Sequence, residues 1–267
     1  VLEPYYRCSE KAMGEEKPKT LNNVRNAENE LAVVCLTEKR ELLSVLLQKE
    51  FVSAIYLDFA AYRKTHFMDE LAEDVAKIKK AKKQVFFAMP RIFRNEIADW
   101  FVSLANDLQN LRLDGILVRS YEELAYCRQY LPECKMITDQ NVYTYNDRAQ
   151  QFFTEEGVWA NTVPIELNRG EIMHRDNQKS EMIVYGYYPL MTSAQCVHKN
   201  TKGCDKCPTI TYLKDRYQAQ FPVKNFCSAC YNVVYNSLPV MLFSNIRELQ
   251  KVGLGTFRLD FTMESEK

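Results

Sequence analysis

The sequence predicts an α/β fold, a (β/α)8 TIM-like barrel, from three observations. Eight short apolar runs rich in β-branched and aromatic residues recur along the chain. Charged, amphipathic stretches separate most of them, and that alternation is the mark of parallel βαβ units. No G-x-G-x-x-G turn follows the first run, which disfavours an open dinucleotide-binding sheet and leaves the closed barrel.

LAVVCL (31–36) is the first expected strand, with Cys35 acting as a small buried hydrophobe. EKRELLSVLLQKE (38–50) follows as a helix, then AIYLDF (54–59) as a strand. MDELAEDVAKIKKAKK (68–83) spaces its apolar positions three or four apart with charges opposite, the pattern of a helix lying on a sheet. QVFFAM (84–89), DGILV (114–118) and CKMITD (134–139) are the next strands, separated by the helices NEIADWFVSLANDLQN (95–110) and SYEELAYCRQYL (120–131). Ser120 and Glu123 have the spacing of a capping box. The helix YNDRAQQFFTEEG (145–157) leads to strands WANTVP (159–164), MIVYG (182–186) and finally TFRLDF (256–261). The connection after the seventh strand, 187–255, is far longer than the others and reads as a cysteine-rich loop over about 187–240. Loops at that end of a barrel strand lie on the catalytic face. No eighth helix follows the last strand, so the barrel reads as incomplete.

Lys plus Arg and Asp plus Glu each number 35, so the net charge is zero, which argues against a charge-driven polyanion binder. With 46% hydrophobic residues the chain is also not disordered. No apolar run approaches the roughly 18 residues that span a membrane, and no signal pattern opens the chain. A cytoplasmic protein without membrane contact is expected. The chain begins with Val1, and residues 1–30 are polar and aperiodic, which suits a linker or the end of an upstream domain. Residues 31–267 then form the barrel module of a longer polypeptide.

The nine cysteines carry the sharpest chemical signal. Cys196, Cys204, Cys207, Cys227 and Cys230 are clustered, and an odd total without a signal peptide argues against a secreted disulfide framework. Cys204-x2-Cys207 and Cys227-x2-Cys230 have the form of paired metal knuckles, in which each turn aims two sulfurs at one point. Zinc and an iron–sulfur cluster are both compatible with such a donor set.

EMIVYGYYPLMTSAQC (181–196), GCDKC (203–207), FPVKNFCSACYNVVYNSLPVML (221–242) and FRLDFT (257–262) resemble the collagenase-like peptidase family U-32, and most closely the C-terminal barrel module of its long members. QNVYTYNDRAQQFF (140–153) and IELNRGEI (165–172) add to the resemblance. It implies a TIM-like barrel and, for several members, a four-cysteine iron–sulfur cluster serving oxygen-independent hydroxylation of rRNA or tRNA bases. The peptidase (hydrolase) label is the family's historical one. The signature's first cysteine falls on Pro189 here, its second on Cys196, and its glycine–cysteine on Gly203 and Cys204. The metal site is therefore rebuilt with Cys207, Cys227 and Cys230.

Three further residues are candidates for substrate binding. Glu166, just past the sixth strand, is either a buried acid facing substrate or a helix-start carboxylate. Arg258, inside the eighth strand, can face the interior and hold an anion bidentately. Tyr185, beside the cysteine-rich loop with Tyr187 and Tyr188, can stack on a nucleic-acid base or pack over a metal loop. Asn141 and Asn146 read as a turn and a helix cap. No H-E-x-x-H or G-x-S-x-G supports proteolysis. Two functions remain open: a metal-containing U-32 enzyme that modifies RNA, or a non-catalytic structural or substrate-binding barrel with a zinc knuckle. The partners expected are the upstream domain and, for the first function, RNA.

Overall fold

The computed structural model describes residues 31–204, 206 and 208–264. The proposed linker 1–30, Cys8 and Cys207 lie outside the described residues. Strands β1 (Ala32–Thr37), β2 (Val52–Asp58), β3 (Gln84–Ala88), β4 (Gly115–Val118), β5 (Lys135–Thr138), β6 (Val158–Thr162) and β7 (Ser180–Gly186) are each parallel to the next. β13 (Thr256–Phe261) lies between β7 and β1, parallel to both, and closes an eight-stranded parallel barrel. All eight expected strands are present.

The barrel follows from side-chain alternation along each strand. Val34, Leu36, Ala54, Tyr56, Phe86, Ala88, Leu117 and Ile137 form one inward cluster. Their neighbours Cys35, Ile55, Leu57, Val85, Phe87, Ile116 and Val118 point outward into the helical layer. Strands buried on both faces must read as continuous apolar runs, which is why they were visible in the sequence. Burial pushes the Cys35 thiol up to about 12, so it acts as a hydrophobe at neutral pH.

The helices on that outer face are α1 (Leu43–Leu47), α2 (Phe67–Lys80), α3 (Glu96–Ser103), α4 (Ala105–Asn110), α5 (Tyr121–Tyr130), α6 (Asp147–Glu155) and α7 (Arg169–Met173). α2 buries Phe67, Leu71, Val75 and Ile78, the stripe that its periodicity predicts. The helix expected over 95–110 is broken into two at Leu104, whose amide turns to the Phe101 carbonyl. Ser120 caps α5 through the Glu123 amide, but the Glu123 carboxylate accepts from Arg119 N instead of Ser120 N, so the capping box is half formed. The full box occurs on α7, between Asn168 and Glu171.

The long connection is not a plain loop. β8 (Pro189–Ser193), β9 (Ile210–Lys214), β10 (Gln220–Phe226) and β11 (Tyr231–Tyr235) form an antiparallel sheet in the order β8-β11-β10-β9, with α8 (Val197–Lys202) between β8 and β9. β12 (Val240–Met241) then pairs with the end of β7, and α9 (Ile246–Lys251) leads into β13. The sheet buries Val223, Phe226, Tyr231, Val233 and Tyr235 and leaves Leu190, Met191, Tyr212 and Leu213 exposed.

Gly115 shows how closely the barrel strands approach. A β-carbon built there would lie 2.4 Å from the Lys135 carbonyl oxygen and 2.6 Å from the Phe86 ring. Gly115→Ala is expected to cost about 2 kcal/mol or more, because a backbone carbonyl cannot move aside as a flexible side chain can. A urea midpoint within error of the parent's would refute this close approach.

Candidate functional site

Charged side chains gather at the carboxyl ends of β1, β2, β4 and β5, the face where barrel enzymes carry their chemistry, and deeper in the barrel on β7 and β13. Arg258 is their hub. It is 1% exposed, inside β13, and points into the barrel. Its Nη2 donates to Asp139 Oδ1 (2.7 Å), Nη1 to Glu181 Oε1 (2.5 Å) and Nε to Asp260 Oδ1 (2.8 Å). The Tyr56 hydroxyl donates to the other Glu181 oxygen at 2.6 Å. Asp139 continues the chain to Arg119, whose Nε donates to Asp139 Oδ2 (2.9 Å) while Nη2 pairs with Asp58 Oδ2 (2.7 Å).

Burial alone would raise the Asp139 carboxyl, but Arg258, Arg119 and Arg91 together hold it well below the usual carboxylate range. At Asp260 burial outweighs Arg258 and pushes the carboxyl up to about 6. Asp58 is likewise raised by burial, against the pull of Arg119. Two carboxyls of one network thus titrate far apart, a feature common to reaction sites and to structural ion-pair networks alike.

The antiparallel sheet lies over this mouth. Tyr235 donates to Glu38 Oε1 at 2.9 Å, and Lys224 Nζ reaches Glu38 Oε2 at 2.8 Å and the Thr262 carbonyl at 3.2 Å. Burial would raise Glu38, but Lys224 and then Arg91 bring it below its ordinary value. The Ser228 hydroxyl donates to the Tyr62 carbonyl at 3.4 Å, and the Arg91 amide donates to the Tyr231 hydroxyl oxygen at 3.4 Å. Tyr231 and Tyr235, 2% and 0% exposed, therefore fill the mouth from above.

The candidates read from the sequence separate on this frame. Arg258 does face the interior, but its donors are taken by three carboxylates of the chain, which leaves no free fork for an anionic ligand. Glu166 is exposed, not buried, and lies near Tyr145, outside the mouth network. Tyr185 stacks on Phe243 at 5.9 Å and donates to Glu264 Oε1, with its ring half-buried. Asn146 caps α6 through the Ala149 amide, and Asn141 donates to the Arg119 carbonyl.

The chain belongs to peptidase family U32. The family model covers residues 52–267, which hold seven of the eight barrel strands, the mouth and the antiparallel sheet. No curated protein matches the chain. Among solved structures it is similar to thiamine phosphate pyrophosphorylase from Pyrococcus furiosus, at 10% identity and TM-score 0.46, covering 87% of this chain and 86% of that one. It is also similar to an HpcH/HpaI aldolase from Desulfitobacterium hafniense, at 7% identity and TM-score 0.41, covering 88% and 87%. Among the described residues no helix is long and apolar enough to cross a membrane.

The described clustered cysteines of this U32 module, Cys196, Cys204, Cys227 and Cys230, lie within the segment that forms the antiparallel sheet. Cys227 and Cys230 flank the β10–β11 turn, where Cys230 takes a left-handed φ of 55°. Cys196 caps α8, its sulfur accepting from the Lys199 amide at 3.4 Å, and Cys204 is exposed just beyond that helix. The register brings their chain segments to one end of the sheet. β8 pairs with β11 so that Ser193, three residues before Cys196, sits opposite Asn232. The Asn225 amide donates to the Thr209 carbonyl, which sets the chain just after Cys207 beside the approach to Cys227. Among the described residues no three Cys, His, Asp or Glu side chains come close enough together to hold a metal ion, and Cys207 lies outside those residues.

Glu38, Asp58, Arg91, Arg119, Asp139, Glu181 and Asp260 were not picked out from the sequence. A signal was present: Glu38, Arg119 and Asp139 each directly follow a buried apolar strand.

Proposed function

We propose that this U32 module is a metal-bearing, non-catalytic barrel, the structural and binding partner of an enzyme completed by an upstream part of the same polypeptide. The observation that carries this reading is the filled mouth. Arg258 and Arg119 spend their donors on the chain's own carboxylates, and Tyr231 and Tyr235 occupy the space above. A reaction chamber of a barrel enzyme needs that space for substrate.

The metal would be held by four thiols among Cys196, Cys204, Cys207, Cys227 and Cys230, drawn together as it binds. The support is the sheet register, which carries these segments to one end, and the thiol donor set, which suits zinc or iron–sulfur chemistry. Zinc would contribute folding energy to this end of the sheet; an iron–sulfur cluster would supply electron transfer.

The turn between β10 and β11 favours a second reading. Ala229, inside the Cys227–Cys230 loop, packs against both the sheet core and the barrel's core, and the neighbouring Ser228 hydroxyl donates to the Tyr62 carbonyl, so a centre there would adjoin the mouth. In that reading the protein takes part in oxygen-independent hydroxylation of rRNA or tRNA bases.

Metal and sulfide analysis of protein purified without oxygen, with its visible spectrum, separates the two. About one zinc per chain without sulfide is expected. Iron with matching sulfide and absorption near about 400 nm would replace the structural reading with the redox one. Replacing Cys204 and Cys227 together with Ser is expected to remove most of the bound metal. Unchanged metal content in that variant would refute the ligand assignment.

A further inference from the structure

Among the charged groups of the mouth, Arg91 stands apart. Its amide donates to Tyr231, but its Nε is buried and has no hydrogen-bond partner among the described residues. Its guanidinium also forms no ion pair with a described residue, unlike Arg119, Arg258 and Lys224 around it. Leaving such a donor unmade is costly, more so for a charged group than for a neutral one. The residue as a whole is half-buried, so the position opens to solvent at the seam between the antiparallel sheet and the barrel.

The surroundings fit an incoming anion of a particular kind. Burial and Arg119 disfavour the Arg91 charge, while the Asp139 and Glu38 carboxylates favour it, and the balance keeps Arg91 charged. Beside it Ala60, Ile92, Tyr187 and Met263 form a half-buried apolar wall against Tyr231 and Tyr235. A guanidinium fork binds a carboxylate through two parallel hydrogen bonds. A doubly charged phosphate would bring more negative charge toward Glu38, Asp58 and Asp139 than one cation offsets.

We propose that Arg91 anchors a ligand site at the seam between the antiparallel sheet and the barrel, and that the site takes a small monocarboxylate with an apolar body. The site goes beyond the metal reading and requires no metal, so it stands or falls separately. It also assigns the anion-binding role to a different arginine from Arg258.

The test is a benzoate titration of the whole chain, followed on the arginine Nε–H resonances, with metal content measured on the same sample. One arginine resonance is expected to shift saturably, and it is the resonance missing from Arg91→Met. Arg91→Lys keeps the charge but not the fork, and is expected to fold like the parent and bind benzoate at least tenfold more weakly. Arg91 makes no direct ion pair with a described residue, but its charge helps hold Glu38 and Asp139 down, so Arg91→Met is expected to lower the urea midpoint only slightly. The proposal is overturned by the absence of a saturable shift, by a shift that survives in Arg91→Met, or by unweakened binding in Arg91→Lys. Inorganic phosphate saturating at lower concentration than benzoate would overturn the carboxylate assignment. A large loss of stability in Arg91→Met would show a structural ion pair instead.

Discussion

Arg258→Met is expected to destabilise the barrel by about 3–5 kcal/mol, or to prevent it from folding, because it strands buried carboxylates without their cation. Asp139 and Glu181 are 1% and 4% exposed, and Arg258 donates to both as well as to Asp260. The loss arises from uncompensated charge more than from the value of the bonds themselves. For that reason Arg258→Met combined with Asp139→Asn and Glu181→Gln is expected to recover part of the stability. Arg258→Lys is expected to fall between the parent and Met, since a single ammonium cannot reach three carboxylates that a planar fork serves at once. Urea midpoints with circular dichroism measure all three. A midpoint for Arg258→Met within about 0.5 kcal/mol of the parent, the range of an ordinary surface change, would remove Arg258 from its place as hub.

The contrast between Arg258 and Arg91 shows where sequence reading ends. That Arg258 lies in a strand, with alternate residues inward, was legible from TFRLDF. What it meets there was not, since Asp139 and Glu181 are 119 and 77 residues away in sequence. The barrel strands were legible because burial on both faces makes each one a run of apolar residues. The antiparallel sheet was not, because its outer strands β8 and β9 are largely exposed. In β9 the exposed Ile210, Tyr212 and Leu213 stand beside the half-buried Thr211, so the apolar residues do not mark the core. The doubled C-x-x-C was plain in the sequence. The antiparallel register that carries Cys196 toward the Cys227–Cys230 turn depends on pairings between β8 and β11 that no local pattern records.

Glu123 yields the clearest pH signature. Its side chain is buried under α5, where Oε2 accepts from the Arg119 amide and Oε1 has no partner among the described residues. Burial, only partly offset by the Arg119 amide and charge, pushes its carboxyl from 4.5 up to about 8. Between those two values the folded chain holds a proton that the unfolded chain has released. By linkage, stability must therefore fall as pH rises through that window, and the loss is complete above about pH 8. Glu123→Gln keeps an acceptor for the Arg119 amide and cannot ionise. The protonated acid and the amide both bring an unpartnered donor to the Oε1 position, so the variant is expected to match the parent near pH 4. At pH 9 it is expected to be more stable by on the order of 3 kcal/mol, somewhat less than the full shift converts to at about 1.4 kcal/mol per unit. Subtracting the two stability curves removes the contributions of Asp58 and Asp260, which ionise in both proteins. If the difference stays flat from pH 4 to 9, Glu123 is ionised in the folded barrel, and the Arg119 charge rather than burial governs that corner of the mouth.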